Sequence, residues 1–218
     1  MSNIIYTDWG TIDYKEAWEK QELIFTQQID NKRHNLPTEN RLIFCEHPHV
    51  YTIGKSGNDG NMLIDDGTVP IYRTNRGGDI TYHGFGQIVG YPIFDLESLN
   101  IGLKEYIFKL ENAIISLLDI YGIKGEHYPE GTGVWIDTST EAKARKICAI
   151  GVRSSRFVTM HGFALNVNSD LSYFARINPC GFTNRGVSSM QKELGCSLNI
   201  EEVKQQLARE IKKVFTNQ

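Results

Sequence analysis

What this chain has little of narrows it first. Its four cysteines, Cys45, Cys148, Cys180 and Cys196, are scattered, and no two form a Cys-x-x-Cys pair. That argues against a zinc site or a disulfide framework and leaves a single reactive thiol as the expected use. No metal is expected. No run of about 18 apolar residues occurs, so no membrane span is expected. Met1-Ser2-Asn3-Ile4-Ile5 has neither the basic start nor the apolar core of a secretory signal, so a cytoplasmic location is expected. There is no excess of positive charge either: the net charge is −3, and nothing global points to nucleic acid. Internal repeats and low-complexity linkers are absent.

What is there is ordinary globular material. Hydrophobic residues make up 40% and charged residues 22% of 218 positions, enough for one large domain or two small ones. Ile4 to Trp9 predicts an opening strand. Asp13, with Glu16 three residues on, predicts the capped start of a helix running to about Lys32. Strands are predicted at Arg41–Glu46, stopped by His47-Pro48-His49, at Val50–Ile53, at Val69–Thr74, and at Gln87–Leu96. Pro92 inside the last of these predicts an edge position or a bend. Leu103, Ile107, Leu110, Ile114, Leu117 and Tyr121 recur at spacings of three and four, which predicts a core-packing helix over 102–121 with Glu111 off its apolar stripe. Further strands are predicted at Val134–Asp137, Lys146–Val152 and Phe157–Val167, the last two joined tightly at Ser154-Ser155. Val203, Leu207, Ile211 and Val214 predict a final helix. The expected fold class is α/β (α+β), a mixed, largely antiparallel sheet with packed helices. We expect one catalytic domain over 1–218, with room for a small C-terminal subdomain from about 168.

Four stretches stand out chemically. Arg76-Gly77-Gly78-Asp79-Ile80-Thr81-Tyr82-His83-Gly84-Phe85-Gly86-Gln87 holds four glycines in twelve residues, too many for a regular element. An ordinary Gly-rich hairpin with a surface His and a turn that meets a ligand both fit it. Cys180 sits in Pro179-Cys180-Gly181, where proline restricts the backbone before it and glycine frees it after, a context that suits an exposed, held thiol. Lys146 lies in the otherwise apolar run Lys146-Ile147-Cys148-Ala149-Ile150-Gly151. With a strand period of two, Lys146, Cys148 and Ile150 are expected on one face. A strand-end lysine reaching solvent and a desolvated lysine working as a base both remain open. His161-Gly162-Phe163-Ala164-Leu165-Asn166 places small residues where a ligand chain could approach.

Together with Glu46-His47-Pro48-His49-Val50-Tyr51-Thr52, these motifs resemble, in order and over about residues 40–185, the lipoyl (octanoyl) transferase family. The resemblance implies a fold similar to the biotin/lipoate ligase and transferase group. It implies transfer of an octanoyl group from octanoyl-acyl carrier protein to a lysine of lipoyl domains, those of 2-oxoacid dehydrogenases and of the glycine cleavage H protein. Cys180 then matches the acyl carrier, and Lys146 the lysine that lowers the thiol's pKa. The acyl chain is expected along Arg76–His83 (Arg76, Gly77, Gly78, Asp79, Ile80, Thr81, Tyr82 and His83), Ala149-Ile150-Gly151 and Gly162-Phe163-Ala164. Thioester to amide runs downhill, so no ATP and no cofactor is expected, and no G-x-x-x-x-G-K-[ST] loop is found. Two positions depart from the pattern: Phe85 stands where proline is usual, and Cys148 where a small residue such as alanine is common. Lys143, Arg145, Arg153 and Arg156 read either as a basic docking patch for the acidic carrier that the resemblance implies or as a solvated hairpin end. The competing readings are an ATP-dependent lipoate–protein ligase of the same fold and a non-catalytic lipoyl-domain binding protein.

Overall fold

The computed structural model describes residues 4–178 and 185–216. The chain opens with β1 (Ile4–Thr11), α1 (Tyr14–Arg33), β2 (Asn40–Glu46), β3 (Val50–Ile53), β4 (Ile71–Arg73), β5 (Ile80–His83) and β6 (Gln87–Ile93). It continues through α2 (Leu103–Ile120), β7 (Gly125–His127), β8 (Val134–Ile136), β9 (Arg145–Ser155), β10 (Val158–Asn166), β11 (Gly186–Val187), α3 (Met190–Leu194) and α4 (Ile200–Thr216). Eight strands form the main sheet in the order β1-β2-β6-β10-β9-β8-β7, with β11 beside β9. A second sheet of three strands runs β4-β3-β5. Most pairings are antiparallel; β1/β2, β3/β4 and β9/β11 are parallel.

Local chemistry explains the element ends. Asp13 caps α1, its carboxylate accepting from the Lys15 and Glu16 N–H groups at 2.8 and 3.3 Å. The β9–β10 hairpin turns at Arg156 and Phe157, both at positive φ, one step beyond the expected Ser154-Ser155. Pro92 is neither at an edge nor in an edge strand: β6 lies between β2 and β10. Its missing N–H is tolerated because β10 departs from the ladder there. The regular β6/β10 register stops at Gly90↔Phe163, His161 takes φ 59°, and the Thr159 hydroxyl donates to the Pro92 carbonyl at 2.8 Å. Pairing resumes in the same register at Asp95↔Val158, so the ladder opens locally around Pro92 without an inserted residue, and an opened ladder is where a sheet interior can accept proline.

The larger core fills the space between the main sheet and α2 and α4. Leu110, Ala113, Ile114, Leu117 and Leu118 of α2 join Val203, Leu207, Ile211 and Phe215 of α4 in one cluster. Each such aliphatic or aromatic side chain contributes roughly 1.5–3 kcal/mol when fully buried. The stripe on α2 is rotated from the expected one. Leu103 is exposed while Tyr106 is fully buried, and Glu111, expected at the surface, is buried. α1 covers the other face with Ala17, Phe25 and Ile29. Among the described residues, no helix is long and apolar enough to cross a membrane.

Candidate functional site

The Gly-rich stretch is a turn laid across β9. The Gly77 N–H donates to the Val152 carbonyl at 2.8 Å. The approach is so close that a Cβ added at Gly151 would lie 2.8 Å from the Gly77 carbonyl oxygen. Arg76 fixes the turn from within. Its guanidinium donates to its neighbour's carbonyl on Gly77 and, at 2.7 and 2.9 Å, to the carbonyl and hydroxyl of Thr52. The Asp79 carboxylate accepts from Asn61 and from the Ile80 N–H.

Between this turn and strands β9 and β10 lies a cavity of about 460 Å³. Its walls include Arg76, Gly77, Gly78, Asp79, Ile80, Thr81, His83, Lys146, Ala149, Ile150, Gly151, Gly162, Phe163 and Ala164. The sequence motifs therefore converge on one space. Tyr82 is the exception. It is fully buried on the other side of β5, stacked on Tyr173 at 4.8 Å with its hydroxyl 2.6 Å from His49 Nδ1. Gly162 reaches the wall, but its lack of a side chain serves the sheet: a Cβ there would meet the Gly90 carbonyl oxygen at 2.2 Å. Cys180 lies outside the described residues. Phe174 before it and Arg185 after it both line the cavity.

The shared face expected for Lys146 and Cys148 is not observed. β8 pairs Val134 with Cys148 but Trp135 with Lys146, so Ile147 is an extra residue and the register slips. Opposed residues share a face. Cys148 thus joins Val134 in the core, while Lys146 joins Trp135 at the cavity. The Lys146 ammonium lies 4.7 Å from the Trp135 ring centre, within cation–π range. Arg185 approaches the same indole at 5.9 Å and Tyr128 at 4.7 Å. It also pairs with Glu130 and Glu141 at 2.5 and 3.2 Å. Burial pushes the thiols of Cys148 and Cys45 well above their ordinary range.

The other end of the cavity is aromatic, and its histidines are uncharged, with the Arg76 guanidinium and Asp79 carboxylate tied into the turn beside them. His83 is stacked on Tyr14 with rings 5.7 Å apart. Its Nδ1–H donates to Gln87 at 2.9 Å, and Gln87 in turn donates to the Tyr82 carbonyl and to Asn166. Burial, then the neighbouring His47, pushes the His83 pKa down to about 3. His161 faces Asn75 at 2.6 Å, and burial followed by Arg76 pushes it down to about 3 as well. His47 receives the Tyr91 hydroxyl at 2.6 Å and is pushed down to about 4 by burial. All three are neutral imidazoles at physiological pH. A histidine so held orients its neighbours and is a poor proton acceptor.

Sequence reasoning did not single out Trp135, Arg185, Ile107, Tyr14 or His161 as cavity residues. Trp135 had no signal of its own, since only the slipped register brings it opposite Lys146. His161 stood inside a quoted motif. The expected basic patch does not form as one surface. Lys143 and Arg145 stand at the opposite end of β9 from Arg153 and Arg156, and Arg145 is bound by Glu193 and Arg153 by Glu22, at 2.7 and 2.9 Å.

Solved structures place this architecture in the lipoate- and biotin-ligase fold class. A bi-partite lipoate protein ligase from Thermoplasma acidophilum superposes with a TM-score of 0.70 at 14% identity, covering 99% of this chain and 84% of that one. A biotin protein ligase from Aquifex aeolicus gives 0.53 at 11% identity, over 99% and 70%. Sequence goes further: the chain belongs to the lipoyl protein ligase A/B catalytic domain family, which matches residues 13–212. It is 54% identical to an octanoyltransferase of Parabacteroides distasonis, over 99% of this chain and 100% of the relative. It is 52% identical to an octanoyltransferase of Bacteroides fragilis, over 95% and 96%.

Proposed function

We propose that this protein is an acyltransferase that moves an octanoyl group from octanoyl-acyl carrier protein to the ε-amino group of a lysine on a lipoyl domain. The acceptors are lipoyl domains of 2-oxoacid dehydrogenases and the glycine cleavage H protein. The observation that carries the reading is a mostly apolar cavity walled by β9, β10 and the Gly-rich turn, with a lysine at one end. The name shared by relatives of about half-identical sequence supports the same chemistry.

The reaction runs through a thioester on Cys180. The thiolate attacks the donor carbonyl and forms the acyl-enzyme as the carrier thiol leaves. The acceptor amine then attacks, and the Cys180 sulfur leaves. A free thiol, pKa about 8.5, is only a few per cent ionised at neutral pH. Lys146 as an ammonium favours the thiolate, gives a proton to the departing carrier thiol, and takes one from the incoming amine. An amide is more stable than a thioester, so no nucleotide is consumed. Cys148 is a poor second nucleophile, since it is fully buried and faces the core.

Incubation with octanoyl-acyl carrier protein, without nucleotide, should add the mass of one octanoyl group to the intact enzyme. Peptide mapping should place it on Cys180. Cys180→Ser should abolish the adduct and Cys148→Ala should keep it. Modification only with free octanoate and ATP would establish the ligase reading instead. Label on the Cys148 peptide, surviving in Cys180→Ser, would overturn the mechanism.

A further inference from the structure

Among the described residues, the buried carboxylates Asp79, Asp95 and Glu111 take no part in the mechanism above, and Glu111 is the one joined to the lysine end of the cavity. Glu111, on α2, was expected among surface residues, yet its side chain is 12% exposed. Its Oε1 accepts from the Gly133 N–H at 2.8 Å, and its Oε2 lies 2.9 Å from Nδ1 of His127. His127 is itself fixed, stacked on Phe108 at 4.7 Å and facing Asn112 at 2.8 Å through Nε2. Gly133 ends a strap, 130–133, of which Glu130, Gly131 and Thr132 line the cavity. The strap in turn fixes Trp135, because the indole N–H donates to the Gly131 carbonyl at 2.8 Å. Trp135 is the ring on which the Lys146 ammonium rests. An unbroken series of contacts thus runs from Glu111 to the strap, to the indole, and to the lysine.

We propose that Glu111 is a positioning residue, which pins the 130–133 strap and so sets the Trp135 face that orients Lys146. The inference rests on the acyl-transfer reading. The chemistry follows from geometry. Gly133 sits at φ +116°, a conformation open to glycine, so the strap has little stiffness of its own. A buried carboxylate accepting a backbone N–H holds such a segment more strongly than a neutral acceptor does. Loss of the carboxylate leaves the strap free to shift, and a displacement of about 1 Å at a reacting group can cost on the order of a hundredfold in rate. The indole face favours the ammonium over the neutral amine. Moving it away therefore makes the lysine lose its proton at lower pH.

Wild-type transfer from octanoyl-acyl carrier protein is measured first; its absence defeats the functional reading and not this one. With transfer established, Glu111→Ala should lower kcat about tenfold to a hundredfold while KM for the donor changes little, and should move the alkaline limb of kcat to lower pH. Glu111→Gln keeps an oxygen for the Gly133 N–H and should recover most of the rate and the original limb. Hydrogen exchange on the wild-type protein needs no variant: the Gly133 amide should be protected well beyond an exposed loop amide. Free exchange at Gly133 would overturn the proposal. So would a Glu111→Ala enzyme with unchanged kcat and pH profile, or a loss of activity that follows lowered stability with no shift of the limb and no recovery in Glu111→Gln.

Discussion

The two ends of the cavity are built from opposite materials on the same strand. At one end β9 presents Lys146, beside Trp135 and Arg185; five residues on, roughly 17 Å along an extended strand, Gly151 and Val152 lie by the Gly-rich turn and the neutral histidines His83 and His161, with His47 packed behind them. The first end gathers cations with carboxylates close by. The second excludes charge from its imidazoles by burying them and satisfying them with Gln87, Asn75 and Tyr91. The contrast separates the duties. On the proposed mechanism, proton traffic belongs beside Lys146, and the acyl tail runs past imidazoles that carry no charge, with Arg76 and Asp79 satisfied within the turn. His83 therefore helps to shape the cavity in this reading, and Lys146 moves the proton.

The sharpest way to break the comparison is to delete one representative of each end. Lys146→Ala should lower kcat by about 10²–10⁴-fold, the usual worth of a general acid–base, and His83→Ala should lower it less. The opposite ranking in steady-state transfer assays would reassign the proton to the histidine end.

Acid should attack the neutral end next. The folded pKa values of His47, His83 and His161 lie near 4, 3 and 3, against about 6.5 when unfolded. The unfolded chain binds these protons first, so their contribution is fully present above about pH 6.5 and is lost as pH falls. Each can contribute up to about 1.4 kcal/mol per pH unit in that window. Urea midpoints should drop steeply between pH 6.5 and 4.5. A flat profile there would mean that the imidazoles are charged in the folded protein.

Smaller effects sharpen the picture. Gly151→Ala puts a methyl 2.8 Å from the Gly77 carbonyl, an overpacking strain of about 1–3 kcal/mol that a urea titration should register, together with weaker octanoyl selectivity. Arg153→Ala removes a part-exposed pair with Glu22 and a cation–π contact on Phe25. It should change stability by less than about 1 kcal/mol and leave the donor KM nearly unchanged. A large rise in KM at Arg153→Ala would restore the docking role expected of that basic cluster.

Much of this architecture is legible in the residues. The Asp13 cap marks the start of α1 within a residue, and the Gly-rich turn, β9 and β10 are recognisable as separate motifs that the fold then brings together. What is not legible comes from tertiary exceptions to local periods. A period of two puts Lys146 and Cys148 on one face until Ile147 is squeezed out of register. A period of 3.6 puts Glu111 at the surface until the 130–133 strap needs its carboxylate. Pro92 reads as an edge residue or a bend until the β6/β10 ladder opens around it. In each case the deciding partner is distant in sequence, and no local pattern carries it.

The slipped residue at Ile147 has a chemical consequence. Without the slip, Cys148 would stand on the cavity wall beside the ammonium, and on the proposed mechanism an incoming thioester would meet two competing sites of acylation. The extra residue turns that sulfur into the hydrophobic interior, where it is neither ionised nor reachable. On the proposed mechanism, backbone register then selects between two thiols of one chain before any difference in their intrinsic reactivity comes into play.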